Sequence, residues 1–142
     1  MKHTLSVLVE NQSGVLSRIA GLFARRGYNI ESLNVGATED ITISRMTIVV
    51  NGDDAIVEQV EKQLNKLINV IKVKSIAPAQ LIARELILVK VTAGHKERAE
   101  ISNITQIMGA HIIDISRSTL TVEFCSTPEQ IDILLNLLRP YT

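Results

Sequence analysis

The feature that most constrains this chain is a repeat of one order of hydrophobic periods. In its first half, Thr4–Glu10 is a β-branched, apolar run of the strand type. After Ser13 and Gly14, apolar residues fall at Val15, Leu16, Ile19, Leu22 and Phe23, a helical spacing that Gly27 ends. Ile30–Val35 and Ile43–Val50 read as strands joined by a turn at Thr38, Glu39 and Asp40. Asn51, Gly52, Asp53 and Asp54 form a polar turn able to cap a helix with apolar residues at Ile56, Val57, Val60, Leu64, Leu67 and Ile68. Val70–Ile76 is the last strand, so the order is β-α-β-β-α-β.

Ala77, Pro78 and Ala79 interrupt the pattern, and it then starts again. Arg84–Thr92 is a strand, and Glu97–Met108 a helix expected to align Ile101, Ile104, Ile107 and Met108 before Gly109 closes it. His111–Ser116 and Leu120–Phe124 are strands. Thr127, Pro128 and Gln130 form a strong helix start, followed by the stripe Ile131, Leu134, Leu135 and Leu138, and Pro140 stops the helix. The fold class is therefore α+β, with two ferredoxin-like βαββαβ units, the second lacking its last strand. The expected division is a first domain at 1–76, a linker at 77–83 and a second domain at 84–142. Helices on one face of each sheet leave the other to be covered. The doubly apolar runs at Ile48–Val50 and Leu86–Val89 predict at least a dimer.

Composition removes several function classes. Lysine plus arginine and aspartate plus glutamate number 15 each. Neither half is unbalanced: nine basic against eight acidic residues in 1–77, six against seven in 78–142. No electrostatic footprint for nucleic acid or an anionic membrane exists. Four aromatics (Phe23, Tyr28, Phe124 and Tyr141) are too few for base-stacking platforms. The single Cys125 excludes an internal disulfide, and its apolar run predicts a small core residue. No apolar stretch reaches the ~18 residues of a membrane span, and no signal or transit peptide is expected ahead of the first strand. The expected location is the cytoplasm, or the plastid stroma for a chain encoded in that organelle.

Catalytic constellations are missing. His3, His95 and His111 are far apart and have no metal-ligand spacing; His111 is expected at the surface or an interface. There is no nucleophile elbow, Walker loop or dinucleotide fingerprint. The acidic pairs Glu39–Asp40 and Asp53–Asp54 read as turn and cap residues. The segment from Glu10 to Ile19 is different. Asn11 and Ser13 can hydrogen-bond nearby backbone, and Gly14 lets another molecule approach the main chain. The first helical amides beyond it make a carboxylate site, with Val15 and Leu16 beside it for an aliphatic side chain. The same residues also spell an ordinary helix cap.

Leu5-Ser-Val-Leu-Val-Glu-Asn-Gln-Ser-Gly-Val-Leu-Ser-Arg-Ile, followed by Gly21-Leu-Phe-Ala-Arg-Arg-Gly-Tyr-Asn-Ile-Glu-Ser-Leu, closely resembles the small regulatory subunit of acetohydroxyacid synthase (acetolactate synthase). Ser44-Arg-Met-Thr-Ile, Glu58-Gln-Val-Glu-Lys-Gln-Leu-Asn-Lys-Leu and Arg84-Glu-Leu-Ile-Leu-Val-Lys-Val fit the same family, and the resemblance covers nearly the whole chain. It implies an N-terminal ACT domain, an amino-acid-binding βαββαβ module, followed by a second ferredoxin-like domain. It also implies a partner: a separate catalytic subunit using thiamine diphosphate, Mg²⁺ and FAD, none of them held by this chain. The small subunit would raise that partner's activity and confer feedback inhibition by valine, or another branched-chain amino acid, in branched-chain amino-acid synthesis.

In such families the ligand sits between two ACT domains. The resemblance assigns Asn11 and Gly14 to the loop holding it, Ser13, Val15 and Leu16 to its flanks, and Asn29 and Ile30 to the partner protomer's side. Family members continue past the residue where this chain stops. The missing strand would pair beside Leu86–Val91, so activation is the property expected to suffer while sensing survives in 1–76. Three other readings give different expectations: a free-standing ACT-type sensor of another enzyme, a nucleic-acid-binding ferredoxin-like domain, and an enzyme in its own right.

Overall fold

The computed structural model describes residues 1–141 and divides into two compact units, Met1–Leu81 and Ile82–Thr142. In unit 1 the elements are β1 (Lys2–Glu10), α1 (Val15–Arg26), β2 (Ile30–Ala37), β3 (Ile43–Asn51), α2 (Asp54–Asn65) and β4 (Val70–Ile76). The strands form one sheet in the order β2-β3-β1-β4, and every neighbouring pair is antiparallel. Period-two alternation turns Leu5, Val7 and Val9 of β1, and Met46, Ile48 and Val50 of β3, to one face. Val15, Ile19, Leu22 and Phe23 of α1 and Val57, Val60 and Leu64 of α2 close over that face to make the core. Phe23 meets Tyr28 edge to face, with ring centroids 6.1 Å apart. Gly27 ends α1 with φ 71°, a left-handed turn, which lets the Tyr28 amide return to the Phe23 carbonyl at 3.0 Å.

Unit 2 has β5 (Glu85–Thr92), α3 (His95–Met108), β6 (His111–Ile115), β7 (Thr119–Ser126) and α4 (Pro128–Leu138). Its sheet has three strands in the order β5-β7-β6, and among the described residues none follows α4. This is the second unit without its last strand. Val91, Ile101, Leu120, Val122, Phe124, Ile131, Leu134 and Leu138 lead its separate core. The Thr127 hydroxyl caps α4 at the Gln130 amide, with Pro128 in the first turn, and the Asp53 carboxylate likewise caps α2 at the Ile56 amide.

Three sequence expectations are corrected. Cys125 is exposed, because Leu120, Val122 and Phe124 take the inward positions of β7 and alternation sends residue 125 outward. Ile107 is 83% exposed: at about 100° per residue it lies roughly 120° off the face set by Ile101. Thr105 occupies that face instead, its hydroxyl satisfied by the Ser102 carbonyl at 2.8 Å. The second helix ends at Asn65, so Leu67 and Ile68 belong to the turn after it, and Ile68 is 91% exposed. Leu86 and Leu88, by contrast, stand as expected on the uncovered face of the second sheet, opposite its core.

Candidate functional site

The connection from β1 to α1 is held from three directions. The Glu10 amide donates to the Asn69 carbonyl at 2.9 Å. The Asn11 amide donates to the Thr42 carbonyl at 2.8 Å, and the Asn11 side-chain nitrogen to the Ile41 carbonyl at 2.7 Å. Both ties of Asn11 reach the turn between β2 and β3. That turn is itself fastened by Asp40, whose carboxylate accepts from the Thr42 amide at 3.0 Å and from its hydroxyl at 2.7 Å. These two donors hold the Asp40 carboxyl below its usual range. On the helix side, Arg18 donates to the side-chain oxygen of Asn69, and Asn69 donates to the Glu10 carboxylate at 3.3 Å. Asn69 is buried and couples α1 to the end of β1.

The turn so anchored ends at Gly14, with φ 86° and no side-chain cap on the helix it begins. The cap alternative for Asn11 and Ser13 is therefore not realised. Val15 donates back to the Gln12 carbonyl at 3.4 Å, and Arg18 makes the first helical bond, to the Gly14 carbonyl at 3.0 Å. The amides of Ser13, Gly14, Leu16 and Ser17 have no acceptor among the described residues. Free, outward N–H groups at a helix N-terminus bind anions, because the helix dipole adds to each donor. A Cβ built on Gly14 would meet nothing within 4 Å, so the space above the turn is open.

The flanking side chains divide. Leu16 is 45% exposed beside the turn, whereas Val15 is 4% exposed and packs in the core. Val15 is corrected from a flank of the site to a wall of the core: consecutive helical residues point about 100° apart, and Val15 shares its side with Ile19 and Leu22. Asn11, Ser13 and Asn29 are exposed, while Ile30 is half-buried against the core.

One chain does not bring all these residues together. Glu10 pairs with Ile43 at one end of β3, while Ile30 pairs with Val50 at the other. Seven strand residues, roughly 24 Å, separate the Asn11–Gly14 turn from Asn29 and Ile30. Arg18, Ile41, Thr42 and Asn69 were missed in the sequence. Arg18, one helical turn after Gly14, was the only one with a local signal.

Among the described residues no group of three or more His, Cys, Asp or Glu side chains could hold a metal ion. His3 lies 3.8 Å from the exposed Asp54, with its buried Nε2 unpartnered. Among the described residues no helix is long and apolar enough to cross a membrane.

Residues 5–72 match the family model of the "AHAS small subunit-like ACT domain", and residues 84–142 that of the "Small subunit of acetolactate synthase". The chain is 52% identical over 141 residues to a probable acetolactate synthase small subunit of Archaeoglobus fulgidus, covering 99% of this chain and 88% of that protein. It is 50% identical over 139 residues to the acetolactate synthase small subunit of Mycolicibacterium smegmatis, covering 98% and 82%. The crystal structure of the acetolactate synthase small subunit from Thermotoga maritima superposes with a TM-score of 0.92 at 39% identity, over 99% of this chain and 88% of that one. Two family models spanning both units, relatives at half identity and a matching solved structure agree, and the chain belongs to the family of acetolactate synthase small subunits.

Proposed function

We propose that this chain is the regulatory partner of an acetolactate synthase catalytic subunit in the cytoplasm, raising its activity and making it sensitive to valine. The observation that carries the sensing half is the uncapped start of α1: four free amides above a glycine turn with open space over it. They suit the carboxylate of an amino acid. The remaining groups of valine need an acceptor for the ammonium and an apolar wall for the isopropyl group. The side-chain carbonyl of the exposed Asn29 and the side chain of Ile30 offer these, but from the far end of the sheet. A second copy resolves the distance. β2 is an edge strand, and pairing two β2 edges antiparallel turns Asn29 of one copy toward the Asn11 end of the other. The isopropyl group then sits between Leu16 of one copy and Ile30 of its partner.

Regulation follows as linkage. Valine shifts activity only by its difference in affinity for two arrangements of the dimer, a coupling of about 1–3 kcal/mol. Thiamine diphosphate, Mg²⁺ and FAD belong to the catalytic chain in this reading. Leucine and isoleucine differ from valine by one methylene or its placement, so the pocket ranks them within about 1–3 kcal/mol.

The test is calorimetric titration of the purified chain with valine, beside Gly14→Asp and Gly14→Asn. Both substitutions meet the same positive φ, which Asn and Asp tolerate best among non-glycine residues, but only Asp adds a negative charge at the carboxylate site. Saturable binding near one valine per chain, retained at least in part by Gly14→Asn and abolished by Gly14→Asp, is expected. Equal binding by wild type and Gly14→Asp rules the site out. Reconstitution with the catalytic subunit, in which valine inhibition disappears for Gly14→Asp, tests the regulatory half. Failure to co-purify with that subunit would favour a free-standing sensor.

A further inference from the structure

The sheet of unit 1 carries helices on one face only, and its other face is not neutral. The register sets Leu8 opposite both Arg45 and Lys72, and Ser6 opposite both Thr47 and Lys74. Alternation puts all of these side chains outward, since Leu5, Val7 and Val9 point into the core. Arg45 and Lys72 thus stand two strand spacings apart across Leu8, roughly 10 Å, and Lys72 and Lys74 roughly 7 Å apart along β4. They surround a hollow of about 400 Å³ whose lining includes Ser6, Leu8, Ile76 and Gln80. None of the three cations has an ion pair or hydrogen bond among the described residues.

No nearby acid forms an ion pair with them among the described residues, although Glu39 and Asp40 share a hollow with Arg45. The Glu10 carboxylate takes the Asn69 amide, and the Asp40 carboxylate takes Thr42. Glu39 lines, with Asp40, a neighbouring hollow that shares only Leu8 and Arg45 with the first. A chain balanced at 15 charges of each sign therefore keeps three like charges clustered on a rigid strand surface. Such a cluster is repulsive until an anion occupies it.

We propose that the hollow between Arg45, Lys72 and Lys74 is a binding site for an oligophosphate group of two or three phosphates carried by a small molecule. A monovalent carboxylate would leave two of the cations unmatched. A phosphate chain offers successive charges to the two ammonium groups on β4, and paired oxygens to the guanidinium fork of Arg45. Ser6 and Gln80 supply neutral donors, and Leu8 and Ile76 give an apolar floor for the organic part. The site is independent of the Gly14 turn, so its failure and that of the valine site are separately visible.

The test titrates the whole chain with inorganic tripolyphosphate and, separately, with uridine triphosphate, at constant ionic strength near 0.15 M so that unspecific screening is held fixed. Saturable binding of one anion per chain is expected, weakened about tenfold or more in each of Arg45→Gln, Lys72→Gln and Lys74→Gln. The three positions face outward on strands, so valine binding and the unfolding midpoint should stay unchanged. Tighter binding of the nucleotide than of tripolyphosphate would assign the apolar floor to a nucleoside. Equal affinities would assign the site to the phosphate chain alone. No saturable binding of either probe, or binding that persists in the triple variant, overturns the proposal. Loss of the catalytic subunit by the triple variant, when the wild type binds neither probe, also overturns it and gives the face to an acidic protein surface.

Discussion

Single residues in the Asn11–Gly14 turn show how far a local pattern reaches. That Gly14 would begin a helix was legible in the sequence, because a glycine before an apolar helical stripe has few other uses. That Asn11 would spend its side chain on the Ile41 carbonyl, rather than on the helix, was not: the two are 30 residues apart. α1 starts without a side-chain cap because its N-cap position is Gly14, which has none to offer. Asp40 gives a residue-scale prediction. Thr42 favours its ionised form, so its folded pKa lies below the ordinary carboxylate value. A depressed pKa contributes stability that is present above the unfolded value, near 4, and lost as pH falls through the folded one. Wild type should therefore exceed Asp40→Asn in urea midpoint at pH 7, with the gap closing as the pH is lowered below about 4. A gap independent of pH would mean that the carboxylate charge has no part in holding the turn.

Elements were easier to read than their ends. Strand and helix periods differ enough that every strand and α-helix is legible, but not the short 3-10 turns at Pro78–Gln80 and Arg139–Tyr141, and α2 stops at Asn65 although apolar residues continue to Ile68. The chain must leave the helix there for Asn69 to reach Glu10 and Arg18, which no local signal announces. In α3, Ile107 looked like part of a stripe because isoleucines recur at intervals of three, but the helix advances by 3.6. The element with most to test is β2. It is a sheet edge with Leu33 and Val35 partly exposed at 37% and 46%, and edges of this kind pair with other strands. Replacing both by lysine should weaken self-association at least tenfold, seen by sedimentation velocity as a shift toward monomer. Valine binding should fall in parallel, because the proposed site needs Asn29 from a second copy. A fully dimeric double variant would move the interface elsewhere.

For the whole molecule, each unit has a core of its own, and the stretch from Ala77 to Arg84 contributes no fully buried residue. Limited trypsin digestion should therefore cut first after Arg84, the exposed basic residue of this stretch, giving fragments near 1–84 and 85–142. Early cuts inside α1 or α2 instead would mean that unit 1 is the less stable part. The sequence by itself determined the order of elements and the glycine turn that begins α1. Both depend on residues within one or two turns of each other. Only the tertiary structure decided which side chains of a helix face inward, that Val15 is core and Leu16 is not, and that Arg45, Lys72 and Lys74 gather around Leu8. It alone placed Asn11 and Asn29 at opposite ends of one sheet. These follow from strand register, and register is set by pairing residues far apart in the chain, as Leu8 is paired with Arg45 and Lys72.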